Sequence, residues 1–285
     1  MSRADRIPPT LLVLVAVGVV QFGSALAKTL FDEVGPGGAV FLRVLFAALV
    51  LLAIWRPALA GRTGADWRLV VLFGFVLVAM NLSFYESLDR IPLGVAVTVE
   101  FVGPLSVAVA GSRRALDLLW VVLAAVGILL LSDFGTADLD ALGVGLALLA
   151  GAFWAAYILL SVRVGRAFDR AEGLTLAMCA GALMLAPVGL ADGGGELFAP
   201  GVLALGLGVA VMSSAIPYTL EMEALRRMRA GVFGVLMSLE PAMAALAGFI
   251  VLDEGLAARE LVAIGLVVAA SAGAARNASV PPRDA

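Results

Sequence analysis

Ten strongly apolar stretches run the length of the chain, separated by short polar connections, at residues 10–30, 37–55, 68–88, 92–111, 117–133, 140–162, 172–191, 201–224, 230–251 and 259–276. A helix needs about twenty mostly apolar residues to cross the hydrocarbon core of a bilayer. The runs are continuous, whereas barrel strands would alternate apolar and polar positions. The pattern therefore predicts an all-α membrane protein with ten transmembrane helices. Polar sequence between the runs is too short for a folded extramembrane domain.

The connections alternate in charge. Of nineteen basic side chains, fifteen lie in every second connection: Arg3 and Arg6; Arg56, Arg62 and Arg68; Arg113 and Arg114; Arg163, Arg166 and Arg170; Arg226, Arg227 and Arg229; Arg276 and Arg283. The intervening connections carry Asp32, Glu33, Asp89, Asp133, Asp138, Asp140, Asp192, Glu196, Asp253 and Glu254. Lysine and arginine accumulate on the cytoplasmic side of short loops. Both termini are thus expected in the cytoplasm, as an even number of spans requires. The first run follows Arg3 and Arg6 and ends in Ala25-Leu26-Ala27, which resembles a cleavable signal. It is longer than a usual signal core and completes the two-half plan below, so we expect it to be retained.

Composition narrows the chemistry. Soluble domains are about half apolar and about a quarter charged, whereas this chain is 62% hydrophobic and 14% charged. With no histidine and one cysteine, Cys179, it offers no imidazole relay, internal disulfide or cysteine metal site. Neither a phosphate loop nor an HExxH helix is present, and the arginines are dispersed, so no cofactor, metal or nucleic-acid partner is expected. An ion gradient is left as the energy source.

Residues 86–110 align without gaps onto 223–247, with eight identities in twenty-five: Glu86/Glu223, Leu88/Leu225, Arg90/Arg227, Gly94/Gly231, Val95/Val232, Pro104/Pro241, Ala108/Ala245 and Ala110/Ala247. The alignment pairs spans 3 and 4 with spans 8 and 9. It predicts a first repeat over 1–136, a second over 137–278 and a cytoplasmic tail over 279–285. A five-helix repeat crosses an odd number of times, so the second enters from the opposite side. Inverted repeats are the plan of secondary transporters, whose substrates bind near the midplane between halves that rock.

Ionisable groups inside a span are costly and are functional candidates by default. Glu100 lies about 12 Å into span 4 at 1.5 Å per residue. Pro104 follows, and its ring collides with the carbonyl of residue 100 and removes a backbone donor. Glu240 directly precedes Pro241 near mid-depth of span 9. Each half therefore sets a carboxylate beside a helix break, which suits proton exchange because burial favours a neutral carboxyl. The bland alternative is that each glutamate satisfies backbone groups freed by its proline. Arg43, about 9 Å into span 2, suits bidentate recognition of a carboxylate, but long cationic side chains also snorkel to the headgroups. Lys28 is shallower, where depth alone favours snorkelling. Glu86, Glu221 and Glu223 lie near span ends, where interfacial solvation is the default.

Neutral candidates are Gln21 and Ser24 on span 1, Asn81 and Tyr85 on span 3, Trp154 and Tyr157 on span 6, and Ser213, Ser214 and Tyr218 on span 8. Residues four apart share a helix face, so Asn81 with Tyr85, and Ser214 with Tyr218, are each expected to line one wall. Interhelical hydrogen bonding is the alternative for any one of them. Gly143, Ala147 and Gly151, four apart, read as helix packing. Pro217 adds a third helix break.

These residues resemble the ten-helix branch of the drug/metabolite transporter superfamily, the EamA-type permeases, and within it the bacterial threonine and homoserine exporters. The matching stretches are Ser24-Ala25-Leu26-Ala27-Lys28, Asn81 with Phe84-Tyr85, Pro92-Leu93-Gly94, Glu100-Phe101 with Gly103-Pro104, Ser112-Arg113-Arg114, Pro217-Tyr218 with Leu220-Glu221-Met222, and Met237-Ser238-Leu239-Glu240-Pro241-Ala242. The resemblance implies a multi-pass carrier of the bacterial inner membrane that exports small neutral amino acids in exchange for protons. It raises Lys28, Glu100, Glu221 and Glu240 as site residues.

The expected partners are an amino-acid substrate, protons and the lipid bilayer, with a homodimer as an option. Arg43 or Lys28 would attract the substrate carboxylate; Glu100 or Glu240 would meet its ammonium or the coupling proton. The same fold exporting drugs, organic cations or another metabolite is the alternative. An intramembrane carboxylate enzyme and a passive channel rank lower.

Overall fold

A computed structural model describes residues 7–110, 119–120, 122–124, 126–127, 130, 140–169, 171–225, 236–237 and 239–278. The helices are α1 (Pro9–Lys28), α2 (Phe31–Trp55), α3 (Gly64–Leu88), α4 (Leu93–Glu100), α5 (Val102–Ala110), α6 (Ala141–Ala167), α7 (Glu172–Gly193), α8 (Pro200–Ala210), α9 (Ile216–Leu225), α10 (Glu240–Leu252) and α11 (Ala258–Ala278). A 3₁₀ turn, Gly194–Phe198, follows α7, and a π-turn, Val211–Ala215, joins α8 to α9. No strand occurs among the described residues. Most of the fifth expected span, 117–133, and the start of the ninth lie outside them.

Among the described residues, six helical stretches are long and apolar enough to cross a membrane: Pro9–Lys28, Phe31–Trp55, Gly64–Leu88, Ala141–Ala167, Glu172–Phe198 and Pro200–Glu221. Leu93–Val107 and Glu240–Leu252 are shorter apolar helices. Large apolar side chains such as Leu183, Phe249, Ile250 and Leu261 stand exposed. Water would penalise such a surface, and a multi-pass membrane protein presents it to lipid.

Helix ends follow local chemistry. Thr63 and Asp66 form a capping box at the start of α3: the Thr63 hydroxyl accepts from the Asp66 N–H, and the Asp66 carboxylate accepts from the Thr63 N–H. The Asp140 carboxylate caps α6 by accepting from the Leu142 and Gly143 N–H groups. Near the start of α2, Gly35 sits at φ 67°, a left-handed conformation that glycine adopts without strain, and Pro36 restarts the helix behind it.

α2 packs chiefly on α7, and α3 lies against α6 and α7. α1 packs on α9 and α10, and α4 on α10 and α6. Small residues permit the close approaches. A Cβ on Gly94 would come within 2.9 Å of the Ala245 Cα, and one on Gly103 would run into the Gly151 carbonyl. Gly143 and Gly151 both pack against adjacent segments, at the Arg90 and Ile91 side chains and at the Glu100 backbone.

Candidate functional site

Span 4 breaks beside its carboxylate. α4 ends at Glu100, Phe101 is the junction, and α5 begins at Val102, two residues before Pro104. Span 9 breaks differently. Glu240 lies in the first turn of α10, with Leu239 as N-cap and Pro241 among the opening positions. Proline is tolerated there because the first N–H groups have no intrahelical partner. Glu100 and Glu240 are 7% and 5% exposed. The two helices that carry them pack together.

Arg43 is turned inward and is 6% exposed. Its Nε donates to Ser214 Oγ (3.2 Å), its Nη1 to the Tyr85 hydroxyl (3.2 Å) and its Nη2 to the Ser213 carbonyl (2.9 Å). The guanidinium carbon stands 5.5 Å from the centre of the Tyr85 ring, in cation–π range. The Ser213 contact has a covalent cause. In an α-helix that carbonyl would accept from residue 217, and Pro217 has no N–H. The chain answers with a π-turn, in which the Ile216 N–H reaches back to the Val211 carbonyl, and Arg43 supplies the donor that Pro217 lacks.

No carboxylate lies within ion-pair distance of Arg43 among the described residues. Glu100 nonetheless lies within its electrostatic range, as do Tyr85 and Tyr218. Glu240 has Glu221 and Glu100 as its electrostatic neighbours. Tyr157 and Tyr218 lie within electrostatic range of Glu221. Arg43, Tyr85, Glu100, Tyr218, Glu221 and Glu240 therefore form one polar centre between α2, α3, α4, α9 and α10.

The other candidates are distributed around it. Trp154 meets Phe101 edge-on (5.4 Å), and Tyr157 stacks on Phe73 (5.3 Å). Asn81 is buried but donates to the Leu77 carbonyl of its own helix (2.7 Å), so Tyr85, not Asn81, carries the contact expected of that wall. Gln21 and Ser24 are buried on α1, and among the described residues Gln21 Oε1 and Ser213 Oγ have no hydrogen-bond partner. Glu86 lies 3.7 Å from Arg90, near the end of α3. The side chain of Glu223 lies outside the described residues.

Lys28 is placed apart from Arg43. Its ammonium is bonded to Glu254 Oε1 (2.7 Å) and donates to the Ile91 carbonyl (3.4 Å), while Glu254 Oε2 accepts from the Leu93 N–H (2.9 Å). Glu254, Asp192 and the Ser213 carbonyl were not among the expected site groups. The missing donor at Pro217 was a signal for the last; Glu254 is 226 residues from Lys28, and no local pattern joins them.

The family model of the EamA-like transporters matches residues 141–276. Over 268 residues, 93% of this chain and 90% of the relative, the chain is 43% identical to the threonine/homoserine exporter RhtA of Escherichia coli K12 and to that of Salmonella typhimurium LT2. It is 24% identical to an uncharacterized transporter of Archaeoglobus fulgidus, over 86% of this chain and 90% of that one. A solved crystal structure shares the fold, with a TM-score of 0.67 over 97% of this chain and 98% of that chain, at 19% identity. The polar centre, the lipid-facing surface and these likenesses agree, and the chain belongs to the EamA-like transporter family.

Proposed function

We propose that this chain exports small neutral amino acids of the threonine and homoserine kind across the bacterial inner membrane, by proton antiport with alternating access between two inverted five-helix halves. The observation that carries the reading is Arg43: a buried cation whose described partners are neutral hydroxyls and a carbonyl, with Glu100 in electrostatic range. A zwitterion needs both signs of charge at one place. Its carboxylate would take the guanidinium donors now held by Tyr85 and Ser214, a charge-assisted exchange for two neutral contacts. Its ammonium would face Glu100.

Glu240 suits the proton. Its electrostatic neighbours are two further acids, Glu221 and Glu100. Arrival of the ammonium at Glu100 changes the charge that Glu240 faces, which would link cargo and proton. The packing of α2 on α7 and of α4 on α10 supports a two-half plan, since those are the pairs that a five-span repeat makes equivalent. The arginine asymmetry supports cytoplasmic termini.

The test is counterflow in proteoliposomes with a panel of labelled amino acids, with and without an imposed pH gradient. Threonine and homoserine should exchange, and the gradient should accelerate net efflux. Equal transport under both conditions would remove proton coupling. Exchange of organic cations without amino acids would replace this cargo with drugs, organic cations or another metabolite.

A further inference from the structure

On the face that carries Asp32, Asp192 and Asp253, two contacts repeat one plan. The Asp192 carboxylate, at the end of α7, accepts from the Gly37 N–H (3.1 Å), and the Glu254 carboxylate, just beyond α10, accepts from the Leu93 N–H (2.9 Å). Each acceptor comes from the second half of the chain and each donor from the first. Gly37 follows Pro36 and Leu93 follows Pro92, so each carboxylate takes the first N–H that a proline-led helix start can offer. Negative charge is favoured at such starts, where the N–H groups point outward without intrahelical partners.

Both seats are built around a glycine. A Cβ on Gly37 would run into Asp192 Oδ2, and one on Gly248 would stand 2.6 Å from Glu254 Oε2. Asp253, at φ 52°, turns the chain in the left-handed region so that Glu254 folds back over α10, where its N–H meets the Gly248 carbonyl (3.2 Å). Lys28 then holds the second oxygen of Glu254 and ties the end of α1 to the same point.

Where α2 finishes and α7 starts, a cavity of about 470 Å³ is lined, among the described residues, by Ile54, Trp55, Asp169 and Glu172. Arg62 bonds Glu172 beside it. The α2–α7 pair is thus fastened at the acid-rich face and bears a recess at the arginine-rich one.

We infer that Asp192 on Gly37 and Glu254 on Leu93 form a two-point latch that holds the acid-rich face shut, and that opening this face requires both carboxylates to leave their helix starts. Lys28 strengthens the second point. The inference rests on the proposed alternating access and is independent of which molecule is carried.

The test uses the purified full chain in nanodiscs, in a Cys179→Ser background, with maleimide labelling of one reporter at a time. Ala25→Cys, fully buried one turn below Lys28, reports the latched face. Trp55→Cys reports the open cavity. Two latch variants are compared: Asp192→Ala with Glu254→Ala, which removes the carboxylates, and Gly37→Ala with Gly248→Ala, which keeps them and blocks their seats. Both should label Ala25→Cys about tenfold faster, the scale of two lost charge–helix contacts, and should slow labelling at Trp55→Cys. Unchanged rates at Ala25→Cys in both variants would overturn the latch. So would faster labelling at both reporters, which signals a loosened fold and not an exchange of open faces.

Discussion

The guanidinium of Arg43 donates to the Ser213 carbonyl, the backbone group that Pro217 leaves without a helical donor. A cation on span 2 thereby completes a break in span 8. With its other nitrogens on Ser214 and Tyr85, the same side chain joins three helical segments at one point, within electrostatic range of Glu100, the acid proposed to meet a substrate's ammonium.

Arg43→Lys should therefore fail to substitute for arginine. A lysine keeps the charge but lacks the planar fork that serves three acceptors. Loss of hydrogen bonds from a charged group costs about 1.5–3 kcal/mol, so threonine affinity should fall by roughly tenfold to a hundredfold in Arg43→Lys and in Arg43→Gln. Binding measured calorimetrically in detergent checks this, and an unchanged affinity in both variants excludes Arg43 from the site.

Pro217→Ala tests the π-turn. Alanine returns an N–H four residues after Ser213, allowing a regular helix to replace the turn. One restored backbone hydrogen bond is worth about 1 kcal/mol, so thermal unfolding should shift upward while the threonine exchange rate falls. A variant that is less stable than the parent would show that the break is not a strain that Arg43 compensates.

Gly151 packs directly on the backbone of Glu100: a Cβ there would stand 2.5 Å from the Glu100 carbonyl oxygen. Gly145, on the same helix, has nothing within 4 Å of its would-be Cβ. Gly151→Ala should cost about 1–3 kcal/mol of stability through overpacking and reduce transport by moving Glu100. Gly145→Ala should stay within about 0.5 kcal/mol of the parent. Unfolding curves and exchange rates of the pair give the comparison.

Much of this architecture is visible along the chain, because a twenty-residue apolar run and an arginine-bearing loop are local signals. The helix break beside Glu100 and the special placement of Glu240-Pro241 are local too. Depth alone divides Arg43 between the interior and the headgroups and favours the headgroups for Lys28. What separates them is tertiary: Arg43 finds Ser213 and Ser214 at least 170 residues away, and Lys28 finds Glu254. Asn81 shows the converse, since a shared face with Tyr85 did not prevent its amide from bonding its own helix. The π-turn combines both kinds of information, a proline legible in sequence and an arginine contributed by the fold.

Glu100→Gln and Glu240→Gln should separate the two acidic roles. Both keep side-chain size and remove the charge. Glu240→Gln should retain threonine–threonine exchange and lose acceleration by a pH gradient, whereas Glu100→Gln should lose both. Proteoliposome assays with and without the gradient read the difference, and loss of exchange in Glu240→Gln alone would reverse the assignment.

The most direct measurement is competition against labelled threonine counterflow by two near-isosteric analogues, threonine amide, which lacks the carboxylate, and 2,3-dihydroxybutyrate, which lacks the ammonium. A site made of Arg43 and Glu100 requires both charges, so unlabelled threonine should compete and each analogue should compete at least about tenfold less well, as expected for losing a charged hydrogen-bonding partner. Competition by threonine amide equal to that of threonine would contradict a carboxylate on Arg43 and with it the zwitterion site.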